Sequence, residues 1–356
     1  MKEKIFLFLL STLVTILTIE ILSKKIISEK LHRLNYNERV ISFYNHHYKN
    51  LHHLSIHPKD VEDIENLNSL IFRKIGNGSK KILIHGDSWG AQFEIEGSKK
   101  SLLKFSKIYD LQFILAGNSS YSFSPLTAQL TKLRDEFNIY PDFIILVVDH
   151  TDIGDELCRY KNLRYKHNEK ILGKPDPIGT VRIYSISNYI ERCRILNSKG
   201  LAIKNLINHR KFVIEINKNA EKDGYPCGIN SILKYLEEGL SNKNKNYMVG
   251  VINDYIENVF SSDNLEKLFI ISHPHRKHIT NEYKLNIKYL IDEALNLTNY
   301  RDSIILIDQF DSSNFDNLDH IFVKGDKSSH LNNDYFIERF LKQILKTLES
   351  HIQIIG

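Results

Sequence analysis

The stretch Lys81-Ile82-Leu83-Ile84-His85-Gly86-Asp87-Ser88-Trp89-Gly90 decides how this chain is read. A short apolar run, Ile82 to Ile84, drops into Gly86-Asp87-Ser88 and then into a helix start, which is how a buried strand delivers a serine to the edge of a sheet. A serine hydroxyl is a weak nucleophile unless a base lies beside it and hydrogen-bond donors face the charge that develops on the substrate. The remaining sequence is therefore read for a base and for such donors.

Working outward, apolar runs rich in β-formers recur at Leu111 to Leu115, Phe143 to Val148, Leu268 to Ser272 and Ile304 to Ile307, with helical patterns between them. Near-continuous apolar strands separated by helices predict an α/β fold: a parallel sheet covered on both faces, with its reactive loops at the carboxyl ends of the strands. The polar segments fall in those places. Gly117-Asn118-Ser119-Ser120 follows the second run, Asp149-His150-Thr151-Asp152 the third, and Asp308 the fifth. Near the end, Gly325-Asp326-Lys327-Ser328-Ser329-His330-Leu331-Asn332 precedes an amphipathic helix from Tyr335 to Leu348. Residues 155–264 are too many for a simple crossover between two strands, so a mostly helical insertion is expected there, one able to cap the site.

Composition bounds the answer. Among 356 residues, 42% are hydrophobic and 26% charged, which suits a folded globular chain and excludes extensive disorder. The net charge of +5 comes from scattered lysines with no basic stripe backed by aromatics, so nucleic acid is not an expected partner. Ile5 to Leu22 is uncharged apart from Glu20 and is flanked by Lys2, Lys4, Lys24 and Lys25. At 1.5 Å per residue that stretch reaches about 27 Å, close to the ~30 Å of a bilayer core. An uncleaved membrane anchor over residues 1–24 is favoured over a signal peptide, because no small-x-small cleavage site follows. Residues 25–78 then form a polar stem. Counting charges alone, Lys24, Lys25, Lys30 and Arg33 would hold the C-terminal side inside. Cys158, Cys193 and Cys227 match no zinc spacing, and three free thiols are favoured over one bridge. The loop His273-Pro274-His275-Arg276-Lys277-His278 has no carboxylate at ligand spacing. No metal or cofactor is expected, and the loop is read as able to line a substrate cleft.

Gly86-Asp87-Ser88-Trp89-Gly90 fits two templates, the Gly-Asp-Ser start of the SGNH/GDSL hydrolases and the G-x-S-x-G elbow of the α/β-hydrolases. An anchor and a polar stem precede it, and this first-strand position resembles the SGNH/GDSL family, with the likeness running from about residue 79 to 350. The resemblance implies a three-layer flavodoxin-like SGNH sandwich over residues 79–356. It implies Ser88 as nucleophile, His330 as base, and Asp326 as the group orienting the ring, with Asp308 or a backbone carbonyl as alternatives. The family spacing is D-x-x-H, whereas here it is D-x-x-x-H. The implied oxyanion donors are the N–H groups of Ser88 and Ser120, with Gly117 keeping that loop tight. Thr151 stands where the family has an asparagine donor; it substitutes, or His150 or Asn118 does, or the hole is weakened. The likeness implies hydrolysis or transfer of acyl groups, and membrane-anchored relatives frequently act on O-acetyl groups of envelope or secreted polysaccharides. That implies an acylated carbohydrate or small ester as substrate and a catalytic domain outside the cytoplasm. The rival expectation is an inert SGNH-fold protein that binds glycans or scaffolds an envelope assembly, for which Thr151 speaks.

Overall fold

The computed structural model describes residues 2–33, 72–118, 121–161, 164–167, 170–173, 186–222, 229–262, 264–280, 285–308, 317–327 and 329–355. The chain divides into two units, Met1–Leu67 with Pro175–Tyr225, and Asn68–Lys174 with Pro226–Gly356.

The second unit is α/β. Its strands are β1 (Arg73–Ile75), β2 (Lys80–Gly86), β3 (Leu111–Gly117), β4 (Phe143–Val148), the hairpin β5 (Arg164–His167) and β6 (Lys170–Gly173), β7 (Lys267–Ser272) and β8 (Ile304–Asp308). Six of them form one sheet in the order β1-β3-β2-β4-β7-β8. All five expected strands are present and parallel to one another. The expectation of an all-parallel sheet needs one correction: β1 runs antiparallel to β3, pairing Arg73 with Leu115 and Ile75 with Phe113. Three residues at the end of the expected stem thus cover an otherwise open sheet edge.

Ile82, Leu83 and Ile84 are all fully buried, which an alternating strand cannot achieve unless both sheet faces are covered. Each such side chain contributes about 1.5–3 kcal/mol by leaving water, enough to hold β2 in the sheet interior. On one face Ile82, Ile84, Phe113, Phe143 and Phe269 share a core with Leu102 and Phe105 of a helix, Glu96–Tyr109, and with Phe336, Phe340 and Ile344 near the C-terminus. On the other face the buried His85 ring joins two helices, through Nε2 to Gln129 at 2.8 Å in Phe123–Phe137 and through Nδ1 to the Tyr255 hydroxyl at 2.9 Å in Asn242–Phe260. Burial holds His85 down to about 4, so the ring is neutral, donating from Nε2 to the amide oxygen and accepting the tyrosine proton at Nδ1.

Asn242–Phe260 therefore serves as a helix of the sheet unit, and residues 155–264 are not a single insertion. Pro175–Tyr225 is the part that groups with the N-terminal residues. In that first unit, Lys2–Arg33 is one continuous helix, longer than the anchor expected at 1–24, and two more helices follow at Ile186–Leu196 and Ala202–Lys222. The N-terminal helix is long and apolar enough to cross a membrane, a property a signal sequence shares. Residues 34–71 of the expected stem lie outside the described residues.

Strand register positions the site. Gly86 pairs with Gly117 on one side and with Val147 on the other, Val147 pairs with Ile271, and Ser272 pairs with Asp308. The carboxyl ends of five parallel strands are thus level. The next strand in sequence lies on one side of β2 and the one after it on the other, which opens a crevice between the loops that follow β2, β3 and β4.

Candidate active site

Asp87 turns the strand into a helix. Its Oδ1 accepts the backbone N–H of Trp89 at 2.8 Å, capping the short helix Ser88–Ala91, and Ser88 becomes the first helical residue at the sheet's edge. Two glycines make the close packing possible. A Cβ on Gly86 would lie 2.6 Å from the Val147 carbonyl oxygen, and one on Gly117 would lie 2.2 Å from the Gly90 carbonyl carbon. Only glycine lets the end of β3 pass this near the serine-bearing turn. At the other end, Gln92 Nε2 donates to the Leu331 carbonyl at 2.7 Å, tying that turn to the residue after His330.

The two expected chemical partners meet. His330 Nε2 lies 2.7 Å from Ser88 Oγ across 242 positions of sequence, and His330 Nδ1 lies 2.5 Å from Asp326 Oδ2. The same Asp326 oxygen accepts the backbone N–H of His330 at 2.8 Å. With Nδ1–H donated to a carboxylate, Nε2 carries the lone pair and accepts the serine proton. Burial opposes protonation of His330, but the hydrogen bond and charge of Asp326 outweigh it, and the net shift is upward. Asp87 is a further neighbour, its Oδ2 standing 2.9 Å from Ser88 Oγ. Burial raises the Asp87 carboxyl above its usual range. The Ser88 hydroxyl donates to Asp87 Oδ2, so its one hydrogen is shared between that carboxyl group and His330 Nε2.

Beneath the serine lies a buried acidic group. One oxygen from each of Asp87, Asp149 and Asp152 falls within 4.8 Å of the others. Backbone donors already hold these carboxyls. Asp149 accepts the N–H of Thr151, and that of Asp152 at 3.3 Å, while Asp152 accepts the N–H of Asp149 at 3.0 Å. Such a set could ligate a cation, but burial first and mutual repulsion second drive Asp149 and Asp152 well above the usual carboxylate range, toward shared protons. Asp155 is pushed up to about 8 by burial despite its ion pair with Arg159.

In the His273–His278 loop, read from the sequence as able to line a substrate cleft, His273 and His275 are buried and Arg276, Lys277 and His278 are half-buried. His273 packs among the rings of Trp89, Phe322, Tyr335 and Phe340. His275 supports the loop that carries His330. Its Nδ1 accepts the N–H of Lys277 at 3.2 Å, leaving Nε2–H for the Lys327 carbonyl at 3.0 Å and the Ser329 hydroxyl at 2.9 Å. Burial lowers His273 to about 3 and His275 to about 4. The ring of His278 lies 3.9 Å from that of His150, whose protonation burial also strongly opposes.

These opposed shifts make a stability prediction. A carboxyl raised on folding stabilises the protein fully below its unfolded value near 3.8, and that stabilisation is lost as pH climbs through the folded value. An imidazole lowered on folding stabilises above its unfolded value of 6.5, and this is lost as pH falls toward the folded value. Between roughly pH 5 and 6.5 the two sets oppose one another. Above pH 6.5 the lowered imidazoles are neutral in both states, and the loss comes from the raised carboxyls together with His330, whose raised value acts in the same direction. Calorimetric Tm should therefore fall between pH 7 and 8, through the Asp155 value; a Tm that climbs across that interval contradicts the assignment.

Of the remaining expected residues, Thr151 is buried at the start of the helix Thr151–Asp155, and none of its described hydrogen bonds reaches Ser88. Ser120 lies outside the described residues. The N–H of Asn118 is spent on the Gly86 carbonyl at 2.9 Å. Asp326, not Asp308, is bonded to the His330 ring. Asp87 as a partner of the serine hydroxyl, Gln92 as a tie to Leu331 and His275 as a support were not foreseen. Gln92, one turn beyond Ser88, was the one with a usable signal in its spacing. The cysteine expectation is corrected in part, since Cys158 is disulfide-bonded while Cys193 is a buried thiol; Cys227 lies outside the described residues.

Comparison with family models, with curated proteins and with solved structures finds no match to this chain.

Proposed function

We propose that this chain is a membrane-tethered acyl-ester enzyme of SGNH type, a hydrolase or an O-acyltransferase, acting on an acylated glycan or another ester of the cell envelope. The observation that carries this reading is the hydrogen-bonded run Asp326–His330–Ser88 at the carboxyl ends of the strands. Counted in chain order, the five parallel strands lie 2-1-3-4-5, the order of flavodoxin-like sheets, which supports the SGNH sandwich. The rival elbow of α/β-hydrolases needs two or more strands ahead of the nucleophile, and among the described residues β1 alone precedes β2.

In the proposed reaction, Ser88 Oγ forms a bond to the ester carbonyl carbon as His330 Nε2 takes its proton. The tetrahedral oxyanion is met by the N–H of Ser88 and by donors on the loops after β3 and β4, Ser120 and Thr151. Collapse breaks the bond to the alcohol, and His330 returns the proton to the departing oxygen. Water or an acceptor hydroxyl then attacks the acyl-serine, giving its proton to His330 and finally to Ser88. Should Thr151 fail to replace the asparagine donor, about 2.7–4 kcal/mol of transition-state stabilisation is absent, which slows the reaction without removing the nucleophile. The N-terminal helix is taken as a retained anchor, and the disulfide at Cys158 supports an oxidising compartment for the domain.

A fluorophosphonate probe tests the nucleophile directly. Full-length protein in detergent should be labelled, and the adduct should map to Ser88. An unlabelled native chain would reject serine chemistry and favour the inert glycan-binding reading.

A further inference from the structure

The N-terminal helix changes character at Glu20. Its apolar side chains from Ile5 to Ile19 are exposed, whereas Ser23 and Ile27 are buried. Glu20 is the sole charge within the apolar stretch and would be costly in hydrocarbon. It has a partner at that level. Its carboxylate accepts the backbone N–H of Ala202 at 2.9 Å and of Ile203 at 3.4 Å, capping the helix Ala202–Lys222 from outside.

The two helices then run side by side in the same direction. Glu20 meets Ala202, and further along Lys30 lies near enough to His209 to oppose its protonation, after burial and Arg192. Ten residues on one helix correspond to about 15 Å and seven on the other to about 10 Å. The loop from Asn197 to Leu201 thus sits at the level where the lipid-compatible segment ends. It is held rigidly: Asn205 Nδ2 donates to the Ser198 carbonyl at 2.7 Å, and the Ser198 hydroxyl donates to Asn205 Oδ1 at 2.9 Å. At its tip Leu201 is 58% exposed. Lys199 and Lys204 flank the tip in sequence, and Lys24, 3.9 Å from the Glu20 carboxylate, and Lys25 follow Glu20 on the N-terminal helix that meets Ala202.

We propose that the loop Asn197–Leu201 is a membrane-seated foot, in which Leu201 enters the headgroup layer beside the anchor and the surrounding lysines face the phosphates of anionic phospholipids. This rests on the reading of the N-terminal helix as a retained anchor. Continuity with that helix and the basic rim select a bilayer as the occupant of the exposed apolar tip. Glu20 becomes the lock that sets the height of the foot.

Full-length protein reconstituted into phosphatidylcholine vesicles containing phosphatidylglycerol provides the test, with Leu201→Trp and Ile214→Trp variants compared by quenching from lipids brominated at known depth. Both positions are exposed, so neither change disturbs a core. The signal of buried Trp89 is taken from the unsubstituted chain. Quenching at 201 several-fold greater than at 214, which lies about 20 Å farther along its helix, supports the foot. Equal quenching at both positions, or none at 201 in protein that floats with the vesicles, overturns it while leaving the anchor intact. Protein that does not float with the vesicles overturns the anchor reading, and the foot with it.

Discussion

Ser88→Ala is expected to lower kcat/KM for a chromogenic acetyl ester by about 10⁴-fold or more, and His330→Ala by a similar factor. The reason is the shared proton. Ser88 Oγ lies 2.7 Å from Nε2, and in the proposed reaction the hydroxyl becomes a nucleophile as the imidazole takes its hydrogen, so removing either atom removes the same step. The double variant should therefore be scarcely worse than the single ones, because the residual rate belongs to the oxyanion donors and to binding. Ser88 sits in a half-buried place at the start of a helix whose cap is Asp87, so its substitution leaves the fold standing. Circular dichroism and Tm of the variants should match the parent within a few degrees. A single variant keeping more than a tenth of parental activity would remove Ser88 and His330 from the mechanism.

The core of this arrangement was legible because each piece is specified locally. Ile82 to Ile84 can be buried on both faces only as a central strand, and Gly86-Asp87-Ser88 carries its own turn and cap. The D-x-x-x-H spacing still brings the aspartate to the ring, with Ser329 in the turn between them. That residue adopts a left-handed φ of 56°, while Asp326 still reaches both the N–H and the Nδ1 of His330. What escaped the sequence is convergence across long separations. Nothing local shows that Asp87 and Asp149 share one buried space, nor that His275 reaches Lys327 and Ser329. Arg73–Ile75 is too short to show a strand period. Nor does the sequence show that Asn242–Phe260 belongs to the sheet unit, because an amphipathic pattern says that a helix buries a face, not which surface receives it.

Asp326→Asn should lower kcat/KM at pH 8 by roughly 10²–10³-fold and reverse the direction of the His330 shift. One Asp326 oxygen serves both the backbone N–H and the ring Nδ1–H of His330, so an asparagine will turn its carbonyl oxygen toward that pair and keep the productive tautomer. The loss then comes from charge, because a neutral amide stabilises the imidazolium far less than a carboxylate does. The pH profile separates this from a merely structural change. His330 must be neutral to accept the serine proton, so activity rises with pH through its pKa, which Asp326 holds above the ordinary 6.5. Without that carboxylate the burial of the ring dominates, and the acid limb of kcat/KM should move below pH 6.5 while the plateau falls. Asp326→Ala should show the same displaced limb with a deeper loss, since the backbone N–H of His330 also loses its acceptor. A limb that stays in place in both variants would show that another group sets the titration and that Asp326 does not orient the base.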